Sequence, residues 1–403
     1  MNTAKKIFCR TFQKVMHLLI PILPYREPKI LNSTDEIADL LKANRYSRVV
    51  LVTDKGIRGL GLTAHLENHL EENGIQCHVY DKTVQNPTSD NVEEALELYK
   101  SFDCQAIIAF GGGSSMDCAK AVGARVACPK KPLDKMAGLL KVCKSLPLLI
   151  AVPTTAGTGS ETTVASVIVD SETHHKYVIN DFSLIPSYAV LDPRITTGLP
   201  GHLTATTGMD ALTHAVEAYI GRSKTKATKS ASIEAVKLIF ENLERAYQNG
   251  EDLEARANML RASYLAGTAF TKSYVDYVHA VAHSLGGKYG LAHGLANAVL
   301  LPRVLRAFGE NAINSLAELA KATGLVNEDI PASEAAEAFI SHIEGMNKRM
   351  NIPEKFSCIR LCDIPDMAKL ADKEANPLYP VPTLWDAEEL EAIYRLVCDE
   401  NND

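Results

Sequence analysis

Between about residues 30 and 195, short β-branched runs alternate with amphipathic stretches, and this alternation limits the fold more than any other feature of the sequence. The apolar runs include 48–53, 104–110 and 148–153, and the stretch 91–99 between two of them has apolar residues at helical spacing. Short apolar runs separated by helices are typical of parallel sheets that helices cover on both faces. We therefore predict a doubly wound, mainly parallel α/β sheet, with helices on both sides.

After Leu191-Asp192-Pro193 the pattern changes. From Thr204 onward no run has the alternation of a strand, and long stretches such as 230–247 have the periodicity of helices. No internal repeat and no Gly/Ser linker separates the two parts. We expect an α/β domain at residues 31–194 and an all-helical domain at residues 195–403.

The first 30 residues have some features of an export signal, because basic residues precede the apolar stretch 15–23. Pro21 and Pro24 interrupt that stretch, no small-residue cleavage site follows, and it is shorter than the roughly 20 residues that span a bilayer. We expect an amphipathic arm that packs on the body of the protein, and no membrane partner.

Charge and cysteine content limit the partners and the compartment. The 49 acidic and 42 basic residues give a formal net charge of −7 and are scattered, so the chain offers no basic face to a nucleic acid. The nine cysteines include no CxxC pair and no disulfide framework, which fits a reducing cytoplasm.

A glycine run, Gly111-Gly112-Gly113, follows strand 104–110 directly and leads into helix-forming sequence. Glycines at such a turn let backbone N–H groups approach a pyrophosphate, and the helix dipole adds attraction. The run is equally compatible with an ordinary tight turn, because the last glycine of the G-x-G-x-x-G fingerprint is replaced by Met116.

Polar residues also follow two other predicted strands. Asp54, after strand 48–53, could accept hydrogen bonds from a ribose 2′-hydroxyl, or it could simply cap the next helix. The segment 153–161 is rich in threonine and glycine, and it could line a ligand at the carboxyl end of strand 148–153 or be a capped loop.

The strongest chemical signal lies in the helical part. Asp210 and His214 are four residues apart and therefore share one helix face, as do His279 and His283, and His293 follows a glycine-bearing turn. A lone histidine in apolar sequence is usually a core residue, but this concentration favours a metal site. One carboxylate with imidazoles suits Fe(II), Zn(II) or another borderline divalent ion.

Six motifs follow one another along the chain: Asn86-Pro87-Thr88, Gly111 to Lys120 (GGGSSMDCAK), Pro153 to Glu161 (PTTAGTGSE), Asp210-Ala-Leu-Thr-His214, His279-x3-His283-x9-His293-Gly-x-Ala-Asn297 and Ala375-Asn376-Pro377. In this order, the motifs resemble those of the iron-containing alcohol dehydrogenase family. The resemblance covers nearly everything after residue 30.

The resemblance implies roles for particular residues. Asp210, His214, His279 and His293 are expected as the metal ligands, and His283 as the polar neighbour of the substrate. The residues expected to bind the cofactor are Asp54, Asn86, Gly112, Gly113, Ser114, Asp117, Thr154, Thr155, Thr158 and Lys176. Because family members that prefer NAD carry aspartate at the position of Asp54, NAD is expected rather than NADP.

The chain also departs from the family pattern. The segment 271–277 has larger side chains than the small, glycine-bearing stretch that is common there, which is expected to reshape the substrate pocket. Ala165 stands where lactaldehyde-reducing relatives have an asparagine, which argues against a diol or hydroxyaldehyde substrate.

The expected function is hydride transfer between a small primary or secondary alcohol, or its aldehyde or ketone, and NAD(H), with Fe(II) or else Zn(II) bound. We expect a cytoplasmic homodimer. The alternatives are a member of the same superfamily that resembles dehydroquinate synthase or glycerol dehydrogenase, and a metal-binding structural protein. A dehydroquinate-synthase-like lyase would need several basic residues for an anionic substrate, and only Lys272 and Lys288 lie near the metal motifs.

Overall fold

The structure is a computed structural model, and it describes residues 1–399. The chain forms two compact units. One comprises Pro24–Leu199, and the other combines Met1–Leu23 with the chain from Pro200 onward. The N-terminal segment therefore belongs to the same unit as the C-terminal half of the sequence.

The first unit contains a parallel sheet in the order β1-β9-β6-β4-β2-β3 among the described residues. A smaller sheet, β5-β8-β7, pairs β7 with β8 in the antiparallel sense. The strands are β1 Lys29–Leu31, β2 Arg48–Val52, β3 Gln76–Tyr80, β4 Ala106–Gly111, β5 Gly138–Leu139, β6 Leu148–Pro153, β7 Ala165–Val169, β8 Lys176–Asn180 and β9 Tyr188–Val190.

Helices cover both faces of the parallel sheet. Along β2, Val49 and Leu51 contribute to one buried cluster, and Val50 and Val52 to another on the opposite face. The helices of this unit are α2 Glu36–Ala43, α3 Lys55–Gly59, α4 Ala64–Glu72, α5 Ser89–Ser101 and α6 Gly113–Ala127. The apolar residues of α2 and α4 pack in the first cluster, and those of α5 and α6 in the second. This is the doubly wound arrangement that the sequence predicts.

Helices make up the regular secondary structure of the second unit among its described residues, as predicted, and the one β-pairing is an isolated bridge between Phe356 and Cys398. Its long helices are α1 Thr3–Leu19, α7 Gly201–Ile220, α8 Lys226–Gln248, α9 Leu253–Ser273, α10 Tyr277–Tyr289, α11 His293–Phe308, α12 Glu310–Ala322, α13 Ala332–Arg349, α14 Ile364–Ala375 and α15 Ala387–Val397. Helix α7 packs against α8, α9 and α11, which buries its whole middle section. Among residues 1–399, no helix has both the length and the apolar composition needed to cross a membrane.

The sequence analysis did not predict the smaller sheet. Strands β7 and β8 do alternate buried and more exposed residues, but they are five residues long and follow the threonine-rich segment closely. In the segment 271–277, Tyr277 lies in the core, where its ring stacks on Trp385 at 5.0 Å, and the effect of the other side chains on a substrate pocket stays a prediction.

Candidate metal and cofactor sites

Helix α7 supplies two of the expected metal ligands from one face. Asp210 and His214 are one helical turn apart, and both are almost completely buried. Glu217 continues the same face a further turn along and is also buried. A helix so deeply packed holds these polar side chains in fixed directions, which a ligand set requires.

The other two expected ligands come from α10 and from the first residue of α11. Asp276 caps α10 by accepting a hydrogen bond from the Tyr277 backbone N–H at 2.5 Å. The start of α11 lies close to α7: a Cβ atom on Gly294 would lie only 2.4 Å from the carbonyl oxygen of Thr206. A glycine after His293 is therefore what lets that imidazole approach Asp210.

The four side chains converge. Asp210, His214, His279 and His293 each offer a ligand atom, and these atoms lie within 4.8 Å of one another. His293 Nε2 is 3.4 Å and His279 Nε2 is 4.0 Å from Asp210 Oδ1. One carboxylate oxygen and three imidazole nitrogens at this separation suit a single divalent ion of the borderline class.

A buried amide lies among the same atoms. Asn297 Nδ2 is 2.6 Å from Asp210 Oδ1, 3.2 Å from His279 Nε2 and 3.1 Å from His293 Nε2. The Oδ1 atom of Asn297 is buried without a hydrogen-bond partner among the described residues. One ligand atom from each of Asp210, His279 and His293 therefore points at the side-chain amide of Asn297. Atoms that converge on one point in this way can bind a single ion.

Glu217 fixes the orientation of His279. Its Oε2 lies 2.5 Å from His279 Nδ1, and its Oε1 accepts the backbone N–H of Val278 at 2.9 Å. With Nδ1 bearing the proton, Nε2 of His279 presents its lone pair to the other ligand atoms. The sequence analysis missed Glu217, although its position seven residues after Asp210 places it on the same helix face.

Burial favours the neutral form of two of the expected ligand imidazoles. It lowers the pKa of His279 to about 3, and it also lowers the pKa of His293, which neighbouring imidazoles depress further. His214 is covered by the ring of Phe270, which stacks on it at 4.1 Å. Neutral imidazole is the form that binds a metal ion.

His283 lies beside this cluster but has different partners. Its ring stacks on His293 at 5.1 Å, and its Nδ1 is 2.6 Å from Glu374 Oε1. Tyr379 donates a hydrogen bond to the same oxygen at 2.8 Å. Glu374 and Tyr379 are far from His283 in sequence, so no local pattern could have identified them.

The glycine run lies where the sequence predicts it, between β4 and α6. Gly112 is the N-cap of α6 and has no side chain to satisfy the first N–H groups of the helix. A Cβ atom on Gly111 would lie 2.5 Å from Ser115 Oγ, so the turn depends on glycine. Open N–H groups at the start of a buried helix form an anion-binding site.

Three of the expected cofactor residues are connected by hydrogen bonds. Lys176 Nζ donates to Asn86 Oδ1 at 2.9 Å, and the Asn86 backbone N–H donates to Ser114 Oγ at 3.3 Å. Lys176 and Asn86 are both exposed. The structure thus links a lysine that is remote in the chain to the glycine turn through Asn86.

A buried lysine on α6 binds the residues that directly follow the threonine-rich segment. Lys120 on α6 donates to Thr163 Oγ1 at 2.7 Å and to the carbonyl of Ala165 at 2.9 Å. Thr154 is buried, whereas Thr155 and Thr158 are partly accessible and lie 3.7 Å and 3.3 Å from where Cβ atoms on Gly112 and Gly113 would be.

Two expected cofactor residues make structural contacts. Asp117 accepts hydrogen bonds from Ser160 Oγ at 3.2 Å and from the Val167 N–H at 3.1 Å. Asp54 caps α3 by accepting the N–H of Ile57 at 2.9 Å. The capping alternative for Asp54 is thus present in the structure, and its contact with a ribose stays a prediction.

Comparisons with known proteins agree with the fold. The family model described as iron-containing alcohol dehydrogenase matches residues 30–193, and that of the C-terminal part of the Fe-containing alcohol dehydrogenase family matches residues 204–398. The 1,3-propanediol dehydrogenase of Citrobacter freundii is 38% identical over 386 residues, which cover 95% of this chain and 98% of that protein.

Two further relatives extend this result. The NAD-dependent methanol dehydrogenase of Bacillus methanolicus is 37% identical over 325 residues, covering 80% of this chain and 84% of its own length. The solved structure of an alcohol dehydrogenase from Oenococcus oeni superposes with a TM-score of 0.88 at 34% identity, covering 93% of this chain and 100% of that one.

Fold, clustered side chains and relatives together define an oxidoreductase that interconverts alcohols and aldehydes. The chain belongs to the iron-containing alcohol dehydrogenase family.

Proposed function

We propose that this enzyme transfers a hydride between a small primary or secondary alcohol, or its aldehyde or ketone, and NAD(H), with Fe(II) at the Asp210 cluster. The observation that carries the proposal is the convergence of one carboxylate and three imidazoles within 4.8 Å. Membership of an iron-containing family and the NAD-dependent methanol dehydrogenase among its relatives support this choice of ion and cofactor.

The donor set fits the ion. Asp210 supplies a charged oxygen, and His214, His279 and His293 supply neutral nitrogens, without any cysteine that would favour a softer metal. When bound, a divalent ion supplies Lewis acidity, which stabilises negative charge on the substrate oxygen. Zn(II) satisfies the same donors and is the alternative ion.

Other residues of the chain orient groups and move a proton. Glu217 holds His279 in one tautomer, and Phe270 covers one face of His214. In the proposed reaction, Nε2 of His283 accepts the hydroxyl proton of the alcohol during oxidation and returns it during reduction. Glu374 orients the ring through Nδ1.

The cofactor site is proposed at the start of α6. The backbone N–H groups of Gly112, Gly113 and Ser114 would hold the pyrophosphate, and Lys176 with Asn86 would contact a ribose. Thr154, Thr155 and Thr158 would line the nicotinamide end, with Asp117 in support.

Anaerobic metal analysis combined with a panel of alcohols and aldehydes tests this proposal. We expect about one iron per chain and net production of NADH from a small alcohol. A lyase that uses NAD only transiently would produce no net NADH, and a structural protein would bind the ion without any turnover. An iron-loaded sample should also lose activity in air, because Fe(II) can be oxidised and Zn(II) cannot.

Cofactor preference provides a second test. Asp54 would accept hydrogen bonds from a ribose 2′-hydroxyl and repel a 2′-phosphate, so Asp54→Gly should reduce the preference for NAD over NADP by roughly 30-fold or more. The variant also loses the α3 cap. Asp252→Gly is the matched control, because Asp252 caps α9 by accepting the Ala255 N–H at 3.0 Å.

The measurement is kcat/KM with both cofactors for the native enzyme and the two variants. If Asp54 only caps α3, both variants should lose about 1 kcal/mol of stability or less and keep the native cofactor ratio. An unchanged ratio in Asp54→Gly would therefore refute the ribose contact.

We also propose a cytoplasmic homodimer. The exposed thiols of Cys143, Cys358 and Cys362 support a reducing compartment. Sedimentation of the purified enzyme tests the dimer, and fractionation of the source cells tests the compartment.

A further inference from the structure

Helix α1 packs on its unit through its polar side. Arg10 donates hydrogen bonds to the carbonyl oxygens of Val381 at 2.7 Å and Pro382 at 2.9 Å, and the buried Gln13 donates to the carbonyl of Tyr379 at 2.6 Å. Lys5, Cys9 and His17 also face the body of the unit, where Lys5 pairs with Asp372 and His17 contacts the carbonyl of Ser223. These contacts along its whole length hold the helix in one orientation.

The apolar side of α1 faces solvent. Its exposed large side chains extend from the second turn to the 3₁₀ turn that follows the helix, and we call them the α1 stripe: Ile7, Phe8, Val15, Leu18, Leu19 and Ile22. Ile7, Phe8, Leu18 and Ile22 are each at least 60% exposed. Surface helices of globular proteins bury this side. A contiguous exposed apolar surface on a well-anchored helix indicates a binding surface.

The charged side chains of α1 itself are all basic. Residues 1–26 contain no aspartate or glutamate, whereas the whole chain has a net charge of −7. Lys6 and Lys14 are exposed, and neither forms an ion pair with a described residue. Lys14 lies next to Val15 and one turn from Leu18, so its ammonium group borders the stripe.

This charge distribution distinguishes between two occupants. If two copies of α1 paired through their stripes, lysines would face lysines, with no acidic residue on either helix to pair with them. An anionic lipid surface instead offers an apolar interior to the stripe and negative headgroups to Lys6 and Lys14. Apolar side chains on one face with an exposed lysine at its edge, here Lys14, are features of helices that lie in the membrane interface.

We propose that α1 binds an anionic lipid surface, with the α1 stripe inserted at the headgroup boundary and the enzyme held on the membrane surface. A helix of 17 residues is about 25 Å long and lies along the surface rather than across it. The family models match residues 30–193 and 204–398, and α1 lies outside both matched regions. The proposal replaces the expectation from sequence that the protein has no membrane partner.

Flotation of the purified full-length enzyme with vesicles tests the proposal. We compare vesicles of phosphatidylcholine alone with vesicles that contain about one third phosphatidylglycerol. The native enzyme should float with the anionic vesicles, and salt should weaken the binding because it screens the lysines. Phe8→Ser combined with Val15→Ser should lower the partition coefficient roughly tenfold or more. Lys6→Glu combined with Lys14→Glu should lower it by a similar factor.

The matched control combines Leu370→Ser and Leu396→Ser. These leucines belong to the same unit and are 59% and 49% exposed, close to the 60% of Phe8 and 50% of Val15, but they lie on α14 and α15. The control variant should float like the native enzyme. All variants should keep native alcohol oxidation without lipid, which shows that they are folded.

Several results would overturn the proposal. One is a native enzyme that stays with the unbound fraction, and another is binding that the α1 variants do not reduce. A third is a lipid-free dimer that Phe8→Ser with Val15→Ser converts to monomer, since this would make a second copy the occupant of the stripe.

Discussion

The proposed metal site in the helical unit and the proposed pyrophosphate site in the α/β unit are built from different parts of the chain. The first depends on the side chains of Asp210 and three histidines, which arrive from three helices. The second depends mainly on backbone N–H groups at the start of α6. A site made of side chains is lost when one of them is removed, whereas a site made of backbone is sensitive to its glycines and tolerant elsewhere.

The largest effect should follow removal of a ligand imidazole. In His293→Ala we expect the ion to be lost and turnover to fall roughly a thousandfold or more, because the Lewis acid contributes several kcal/mol. In Ser114→Ala the backbone N–H of the turn remains, so kcat/KM should fall by less than about tenfold. Metal content and kcat/KM of both variants check this, and comparable losses would contradict the distinction between the two sites.

The next effect concerns Gly294, which lets the start of α11 lie close to α7. In Gly294→Ala the new methyl group meets the carbonyl oxygen of Thr206 at 2.4 Å, so α11 must move away from α7 and separate His293 from Asp210. We expect metal affinity to fall roughly 10- to 100-fold and stability to fall by about 1–3 kcal/mol.

Gly287→Ala is the control for this substitution. Gly287 lies on α10, and a Cβ atom there has nothing within 4 Å, so alanine should keep the native affinity for the ion. Titration of the metal-depleted variants with Fe(II) under anaerobic conditions gives the affinities. If both variants bound Fe(II) with equal affinity, the close approach of α11 to α7 would not determine how tightly the ion binds.

A smaller effect should come from the carboxylate behind His279. In Glu217→Gln the amide still fills the space but can no longer ionise to a carboxylate, the form of Glu217 that accepts most strongly from the Nδ1–H group, so His279 is a weaker base and less firmly oriented. We expect metal affinity to fall by roughly tenfold while the folded structure persists. The dissociation constant of the ion is the measurement, and an unchanged value would assign Glu217 a packing role only.

The last effect is on stability rather than on the metal site, and it concerns a buried carboxyl group in the α/β unit. Burial raises the pKa of Glu161 to about 7, and neither of its oxygens has a hydrogen-bond partner among the described residues. This folded-state pKa lies above the unfolded value of about 4.5, so between these two pH values the folded protein binds a proton that the unfolded chain has lost. The free energy of unfolding therefore decreases as the pH rises from about 4.5 to 7.

Glu161→Gln removes this dependence on pH. The difference in unfolding free energy between the variant and the native protein should shift in favour of the variant by about 1–3 kcal/mol from pH 5 to pH 8. Urea unfolding at both pH values measures the change, and Glu172→Gln at an exposed position of the same unit is the control. The same difference at both pH values would show that Glu161 is not protonated in the folded protein.

The extent to which sequence predicts the site depends on how far apart the residues lie in the chain. Asp210 and His214 share a helix, so their spacing alone places them together, and the same periodicity extends to Glu217. Glu374 lies about 90 residues after His283, and packing of its helix, α14, against α10 brings it there, while Tyr379 follows α14 and donates to Glu374. Lys120 is another such case, because it donates a hydrogen bond to Thr163, which lies 43 residues later in the chain.

The sequence by itself determined the two kinds of unit, because hydrophobic periodicity fixes whether a segment forms a strand or a helix and which side it buries. It also determined which residues bear metal-binding chemistry. Tertiary structure alone decided that Gly294 brings His293 to Asp210, that Glu217 orients His279, and that α1 packs through its polar side. These features depend on distances between segments remote in the chain, and the polar contacts of α1 outweigh the burial that its own periodicity favours.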